Sequence, residues 1–167
     1  MAALSIWKSI VNTRYEKAIK LLRDTASERF SFCPATDQEI SDAEKELNVC
    51  FPESYKKFQL ELGDIDWAML EIHSVKPLQN GMYNIVGITK AERTECFPNM
   101  PNNLIPFSDN GGGDSYCFDI LNLIDGECPI VFWDHTDDQT QKPKEIAVDF
   151  IEWIVSEIKW RQEENTE

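Results

Sequence analysis

The sequence predicts an α+β fold, with a single, mostly antiparallel sheet of about five or six strands flanked by N-terminal helices and one C-terminal helix. Three observations predict this class. Apolar residues follow the helical period over residues 4–62, short runs of β-forming residues replace it in the middle of the chain, and residues 147–158 return to it. Separate runs of helices and strands are typical of α+β domains with antiparallel sheets.

Three helices are predicted in the N-terminal part of the chain. The first spans residues 4–30, which contain neither proline nor glycine. The second begins with a capping box, in which the side chains of Thr36 and Glu39 each accept a hydrogen bond from the other's backbone N–H. The third begins at Pro52, because proline at the first helical position costs no hydrogen bond. Gly63 ends that helix.

The central segments alternate short elements with breaks. Residues 68–72, 82–88 and 129–133 are predicted strands, because β-branched and aromatic residues are frequent in them. Residues 90–96 are predicted as a short helix. Three prolines within residues 98–106 predict an irregular or edge-like segment, because proline cannot donate to a sheet ladder.

A hairpin with a glycine turn is predicted over Leu104–Leu121. Its turn contains Gly111, Gly112 and Gly113, and a run of three glycines marks a sharply bent backbone. Asp109 and Asp114 place carboxylates on either side of the bend. Two interpretations remain open. The aspartates either cap and solvate an ordinary turn, or belong to a loop whose carboxylates and exposed backbone bind a partner.

The acidic residues are concentrated in two blocks. The net charge is −14, from 16 basic and 30 acidic residues. Residues 31–75 contribute −7 and residues 106–140 contribute −8, and the second block contains neither lysine nor arginine. Direct nucleic-acid binding requires a basic surface and is therefore not expected. A field of one sign attracts partners of the opposite charge, so a basic protein is the natural complement.

The bulk properties predict one domain in the cytoplasm. We expect residues 1–161 to form this domain and residues 162–167 to form a flexible acidic tail. No apolar run approaches the roughly 20 residues that cross a membrane, and the N-terminus lacks the pattern of a signal peptide. The five cysteines are irregularly spaced and form no CxxC pair, so we interpret them as reduced thiols rather than zinc ligands.

His135 is the best candidate for a catalytic base. It follows a predicted strand and lies among Asp134, Asp137 and Asp138, which would favour its charged form. A histidine on an acidic loop is more often structural or solvated. The chain also lacks a GxSxG nucleophile motif, and GGGD is not followed by the GK[ST] of a phosphate-binding loop. We therefore predict no enzymatic activity and no cofactor.

The motif DNGGGD superficially suggests calcium binding. The ligand order of an EF-hand and its terminal glutamate are missing, however. We predict no metal site, with a weak divalent-cation site at Asp109, Asp114 and Asp119 as the alternative.

Three stretches together resemble the SUKH superfamily, the Smi/Knr-type domain. They are the helix corner LNVCFPESYKKFQLELGD (Leu47–Asp64), the signature LIPFSDNGGGDSYCFDI (Leu104–Ile120), and PIVFWDH with AVDFIEWI (Pro129–Ile154). The three stretches occur in the family's order and together span roughly residues 36 to 158. Within the signature, Gly113 and Asp114 align with the shared G-D pair, as fold-defining turn residues.

The resemblance implies an α+β domain with a binding role and without enzymatic activity. Bacterial members are mostly immunity proteins that neutralise a secreted polymorphic toxin, often a nuclease, by direct contact in the cytoplasm, and fungal members regulate cell-wall synthesis. We therefore expect a basic cognate toxin domain of the nuclease class as partner, and neither nucleic acid nor membrane. The alternative is a regulatory protein-interaction domain of the same family. Oligomeric state is left open. The predicted partner-binding residues are Asp64, Asp66, Asp109, Asp114, Asp134, Asp137 and Asp138.

Overall fold

The structure, a computed structural model, describes residues 2–25, 33–63, 65–76 and 84–164. The helices in these ranges are α1 (Ala2–Thr25), α2 (Asp37–Leu47), α3 (Glu53–Glu61), α4 (Ile85–Thr94) and α5 (Phe150–Glu164). The strands are β1 (Ile65–Trp67), β2 (Leu70–Ile72), β3 (Leu104–Asp109), β4 (Ser115–Asp119), β5 (Ile130–Trp133) and β6 (Lys144–Ala147). The predicted α+β class is confirmed.

The strands divide between two antiparallel units, which corrects the prediction of a single sheet of five or six strands. One unit is a four-stranded sheet in the order β3-β4-β5-β6, and the other is the β1-β2 hairpin. The hairpin lies beside β3, where the His73 N–H donates to the Phe107 carbonyl at 2.8 Å. At the adjoining position the Ser108 hydroxyl donates to the Glu71 carbonyl at 2.5 Å. The Ser108 side chain therefore occupies the Glu71 carbonyl, which a backbone N–H would use if the hairpin and the four-stranded sheet formed one continuous ladder.

The predicted boundaries of α2 and α3 are close to the observed ones. Thr36 Oγ1 accepts from the Glu39 N–H at 3.2 Å, and Glu39 Oε2 accepts from the Thr36 N–H at 2.8 Å, which confirms the capping box. Pro52 precedes α3 as its N-cap rather than forming its first residue. Gly63 follows α3 with φ +82°.

An aromatic cluster joins α3 and α5 to one face of the four-stranded sheet. The rings of Phe107 and Phe118 on neighbouring strands stack at 4.1 Å between centroids. Trp153 meets Phe107 edge-on at 4.7 Å, and Tyr55 contacts Phe118 at 5.0 Å. Side chains on the other face form a second, smaller core. Its members are Met100, Leu104, Cys117, Val131 and Trp133.

The predicted strand at residues 82–88 is wrong. Residues 77–83 lie outside the described ranges, and α4 begins at Ile85. The Asn84 side chain caps this helix by accepting from the Gly87 N–H at 2.9 Å. Ile85, Val86 and Thr89 are buried on one side of it. The β-branched residues favoured a strand in the sequence, but the cap and the tertiary contacts of this face favour a helix. The helix predicted at 90–96 is the second half of α4.

The chain ends and the last strand also differ from the prediction. α1 ends at Thr25, and the remainder of the predicted first helix lies outside the described ranges. Strand β6 was not predicted, because three of its four residues are exposed and give no apolar alternation. Residues 162–164, predicted as tail, continue α5, since glutamine and glutamate are good helix formers. No helix in the described part of the chain has the length and hydrophobicity needed to cross a bilayer.

We expect Glu127 to make stability depend on pH. Its side chain is buried and accepts hydrogen bonds from the Ser54 backbone N–H at 2.9 Å and hydroxyl at 2.6 Å. Burial nevertheless raises the pKa of this carboxyl above its ordinary 4.5. The folded chain thus holds the proton more tightly than the unfolded chain does. Its contribution to the free energy of unfolding is therefore largest below pH 4.5 and is lost as pH rises through the folded-state pKa.

The variant Glu127→Gln removes this titration and should flatten the dependence of the free energy of unfolding on pH in the mildly acidic range. Urea denaturation of both proteins across that range measures the effect. An unchanged slope in the variant would show that Glu127 titrates alike in the folded and unfolded chains.

Candidate partner-binding surface

Two acidic loops meet at one end of the four-stranded sheet. In the strand register, Asp109 at the end of β3 pairs with Ser115 at the start of β4, and Ser115 pairs with Trp133 at the end of β5. The β3–β4 loop and the β5–β6 loop therefore leave the sheet side by side. We call five carboxylates in and beside these loops the acidic loop surface. They are Asp109, Asp114, Asp134, Asp137 and Asp138.

The β3–β4 loop is the predicted glycine turn. Gly111 and Gly113 have φ of +72° and +101°, which glycine adopts without steric cost. Asp109 Oδ1 accepts from the Gly111 N–H at 2.7 Å, and Asn110 Oδ1 accepts from the Gly112 N–H at 2.8 Å. Asp109 thus stabilises the bend, as the first of the two interpretations of the turn expects.

Asp114 joins the two loops. Its Oδ1 lies 2.8 Å from His135 Nδ1 and accepts from the His135 backbone N–H at 3.2 Å. Its Oδ2 accepts from Asn110 Nδ2 at 2.7 Å. A Cβ on Gly113 would lie 3.0 Å from the His135 ring, so glycine lets the ring rest against the turn. His135 therefore connects the β5–β6 loop to the β3–β4 loop through its hydrogen bonds to Asp114. This is a structural role, which the sequence offered as the alternative to catalysis.

Two aspartates of the β5–β6 loop are held by the threonines that follow them. Asp134 Oδ1 accepts from the hydroxyl and the backbone N–H of Thr136, both at 2.7 Å. Asp138 Oδ1 accepts from the Thr140 hydroxyl at 2.6 Å and its N–H at 2.7 Å. These hydrogen bonds lower the pKa of both carboxyls. The same hydrogen bonds fix the position of each carboxylate, and an aspartate is ionised at neutral pH in any case.

Two glutamines attach the same loop to its surroundings. The Gln139 amide accepts from the Asn99 N–H and donates to the Asn99 carbonyl, both at 2.8 Å. The Gln141 amide donates to the Asp134 carbonyl at 2.8 Å and accepts from the Asp134 N–H at 3.3 Å. The carboxylates are thus presented from a loop whose backbone is already held, which lowers the entropic cost of binding.

The alternative cation site predicted at Asp109, Asp114 and Asp119 does not assemble. Asp119 ends β4, at the opposite end from Asp114, and its oxygens accept from Asn103 and Asn122 at 2.9 and 2.7 Å. A different set, Asp114, Asp134 and His135, offers three ligand atoms within 4.8 Å of one another. Hydrogen bonds inside the loops account for this cluster, and exposed acidic groups are common without an ion, so it supports no metal function.

The two remaining predicted residues are Asp64 and Asp66. Asp64 lies outside the described residues. Asp66 lies in β1, where its backbone pairs with Glu71, and its side chain is not described. His73, next to the end of β2, is buried and has Nε2 3.8 Å from Asp109 Oδ2. The hairpin therefore reaches the edge of the acidic loop surface.

An apolar patch next to the acidic loops was missed from the sequence. Met69 in the β1–β2 turn is 81% exposed, and Trp160 on α5 is 50% exposed. Both line a pocket with Tyr116 and with Asn110 of the glycine turn. The one available signal was that Trp160 follows the apolar stripe of the closing helix, which ends at Ile158.

Comparison with known proteins identifies the family. Residues 15–160 match the family model described as SUKH_5, SMI1-KNR4 cell-wall. Among solved structures, the chain resembles the crystal structure of a protein from Pseudomonas syringae pv. tomato. The two share 20% identity with a TM-score of 0.60, over 83% of this chain and 93% of that chain. This identity supports a common fold alone. A search of curated proteins found no match. Because the family model covers most of the sequence, this chain belongs to the SUKH, or SMI1-KNR4, family, as its motifs predicted.

Proposed function

We propose that this chain is an immunity protein that binds and neutralises a cognate secreted toxin, expected to be a nuclease, through the acidic loop surface. Family membership supports the general class, since SUKH domains are generally immunity or binding proteins rather than enzymes. The observation that carries the proposal is the pair of acidic loops, which are fixed by Asp114 and His135 and carry no lysine or arginine between residues 106 and 140.

The chemistry of a nuclease explains the choice of partner. A protein that cleaves nucleic acid needs cationic groups to hold phosphates, and these groups form a basic surface. Carboxylates held at fixed positions compete for the same cations. Hydrogen bonds from threonines fix the positions of the Asp134 and Asp138 carboxylates and lower their pKa further. Opposite charges also accelerate association, which suits an inhibitor that must bind before the toxin acts.

The second candidate is a regulatory interaction domain without a toxin, as in fungal members of the family. The same acidic surface would serve it, so the two candidates differ in the identity of the partner. An immunity protein would act in the cytoplasm, where an incoming nuclease reaches nucleic acid. We therefore include a cytoplasmic location in the proposal.

Affinity capture followed by an inhibition assay tests this function. The tagged chain is used as bait in its own cells at low salt, with the tag alone as control, and mass spectrometry identifies the bound proteins. We expect one basic toxin domain, whose nuclease activity is lost on adding the chain. Affinity should fall steeply between about 50 and 500 mM salt, because the Debye length shrinks from more than 10 Å to less than 5 Å.

Three results would count against the proposal. Recovery of regulatory proteins without a toxin would favour the second candidate. A recovered toxin that keeps its activity when saturated with the chain would exclude neutralisation. Binding that does not change with salt would exclude the acidic loop surface as the main attraction.

A further inference from the structure

The turn between β1 and β2 has a strained backbone. Ala68 and Met69 have φ of +49° and +61°, the left-handed region that residues with a Cβ rarely adopt. Turns of this kind normally contain Asn, Asp or Gly. Strain of this kind persists only where the surrounding structure imposes it, and it is concentrated at functional sites.

Arg161 of α5 holds the carbonyl groups of this turn. Its side chain is 8% exposed. Nε donates to the Ala68 carbonyl at 3.0 Å, and Nη2 donates to the Met69 carbonyl at 3.2 Å. Nη1 donates to Glu157 Oε2 at 2.5 Å, so the guanidinium is itself oriented. The Met69 side chain nevertheless remains 81% exposed. The buried guanidinium thus fixes a turn whose most apolar side chain contributes little to the core.

Trp160 and Met69 form one apolar patch. Both line a pocket of about 290 Å³ together with Tyr116. The Arg161 guanidinium lies 5.2 Å from the centroid of the Trp160 ring, a cation–π contact that positions the indole. Aromatic and methionine side chains are enriched at protein interfaces, where pre-ordered anchors supply most of the binding energy.

The patch is continuous with the acidic loop surface. Asn110 lines the same pocket and also donates to Asp114 at 2.7 Å. Glu157 and Arg161 also line the pocket, but they form an ion pair and add no net charge to its wall. A ligand that fills the pocket would lie beside Asp109 and Asp114, because Asn110 links the pocket to the glycine turn. The negative charge of these two aspartates favours an apolar group that is flanked by lysine or arginine.

We infer that Met69 and Trp160 form an anchor site that receives one aliphatic side chain from a basic segment of the partner protein. The inference rests on the proposed function only in sharing the partner-binding surface. The acidic loops attract the basic segment and accelerate its association. The pocket excludes water around one apolar side chain and slows dissociation.

Two matched peptides test this inference without the natural partner. Both are short lysine–glycine peptides, and they differ in one central residue, leucine or serine. Binding is followed by NMR of the methionine methyl groups, of which the chain has 4, and Met69→Ser assigns the Met69 signal. The leucine peptide should bind about tenfold more tightly than the serine peptide and shift the Met69 methyl, since burying one leucine supplies at least that factor.

Variants separate the anchor from the acidic surface. The double variant Met69→Ser, Trp160→Ser should bind the leucine peptide no more tightly than the serine peptide. The dependence of its binding affinity on salt should remain unchanged. Leu121→Ser is the matched control, because Leu121 is 78% exposed in the segment after the opposite end of β4. Thermal unfolding checks that each variant is folded.

The outcomes distinguish the anchor site from the acidic loop surface. Equal affinities of the two peptides, or no binding by either, would overturn the anchor site. If both peptides bound with equal affinity and this affinity depended on salt, the acidic loop surface would remain supported without the anchor site. A preference for leucine, combined with affinities of both peptides that do not change with salt, would support the anchor and contradict the electrostatic part of the proposed function. An equal loss of that preference in Leu121→Ser would also overturn the anchor site.

Discussion

Replacement of Asp134, Asp137 and Asp138 by lysine is expected to weaken binding of the basic partner by at least about 100-fold. Each substitution exchanges an attraction for a repulsion, and like charges brought together at an interface cost several kcal/mol. Asp134 and Asp138 matter most, because their hydrogen bonds to threonines hold the carboxylates in place. Surface plasmon resonance at about 100 mM salt, where screening is still moderate, measures the change. Most of it should appear as slower association.

Two controls separate charge from local structure. Asparagine at the same three positions retains a side-chain acceptor for the threonines and removes the charge, so it should weaken binding by an intermediate factor. Lysine at Asp42, Glu46 and Glu95, which are exposed on and next to the helices α2 and α4, changes the net charge equally. If this second set weakens binding as much as the first, the partner responds to total charge and the acidic loop surface is assigned wrongly.

Substitution of Gly63 by alanine should lower the free energy of unfolding by about 3 kcal/mol, the combined scale of overpacking and left-handed strain. Gly63 has φ +82°, and a Cβ there would lie 2.0 Å from the Cys33 carbonyl oxygen and 2.5 Å from its carbon. Both atoms are backbone, and Cys33 is fixed because its N–H donates to the Leu62 carbonyl at 3.1 Å. The clash therefore cannot be relieved by rotating a side chain.

Gly111 provides the matched control. Its φ is +72°, but nothing lies within 4 Å of a Cβ built on it. Gly111→Ala should therefore cost about 1 kcal/mol, from the left-handed conformation alone. Urea denaturation of both variants measures the difference. Equal losses would show that contact with Cys33 does not determine the residue at position 63.

Features that depend on neighbours along the chain were predicted from the sequence. The capping box at Thr36, the glycine turn and the closing helix each follow from residues a few positions apart. Gly63 was predicted to end α3 for the same reason. Its approach to Cys33, 30 positions earlier, gave no sequence signal.

Features created by distant contacts were missed or predicted incorrectly. Local composition at residues 82–88 favours a strand, whereas α4 is favoured by the Asn84 cap and by burial of one helix face. The turn at Ala68 and Met69 contains none of the usual turn residues, and the hydrogen bonds that hold it come from Arg161, 93 and 92 positions away.

The acidic surface was predicted in part. Composition indicated the aspartates, since charge is read directly from the residues. The contact of Asp114 with His135, 21 positions apart, depends on the register of β4 and β5 and could not be inferred. For that reason the sequence left the role of His135 open between catalysis and structure.

Hydrogen exchange of the chain alone and bound to its captured partner tests whether the acidic end of the sheet binds that partner. We predict slower exchange on binding over residues 110–116 and 134–141, where the two acidic loops lie, and over the adjoining turn at residues 68–70. Exchange along α2 should not change. Protection confined to α2 or to the α1–α5 face, with both loops unaffected, would contradict the claim that the acidic end of the sheet binds the partner.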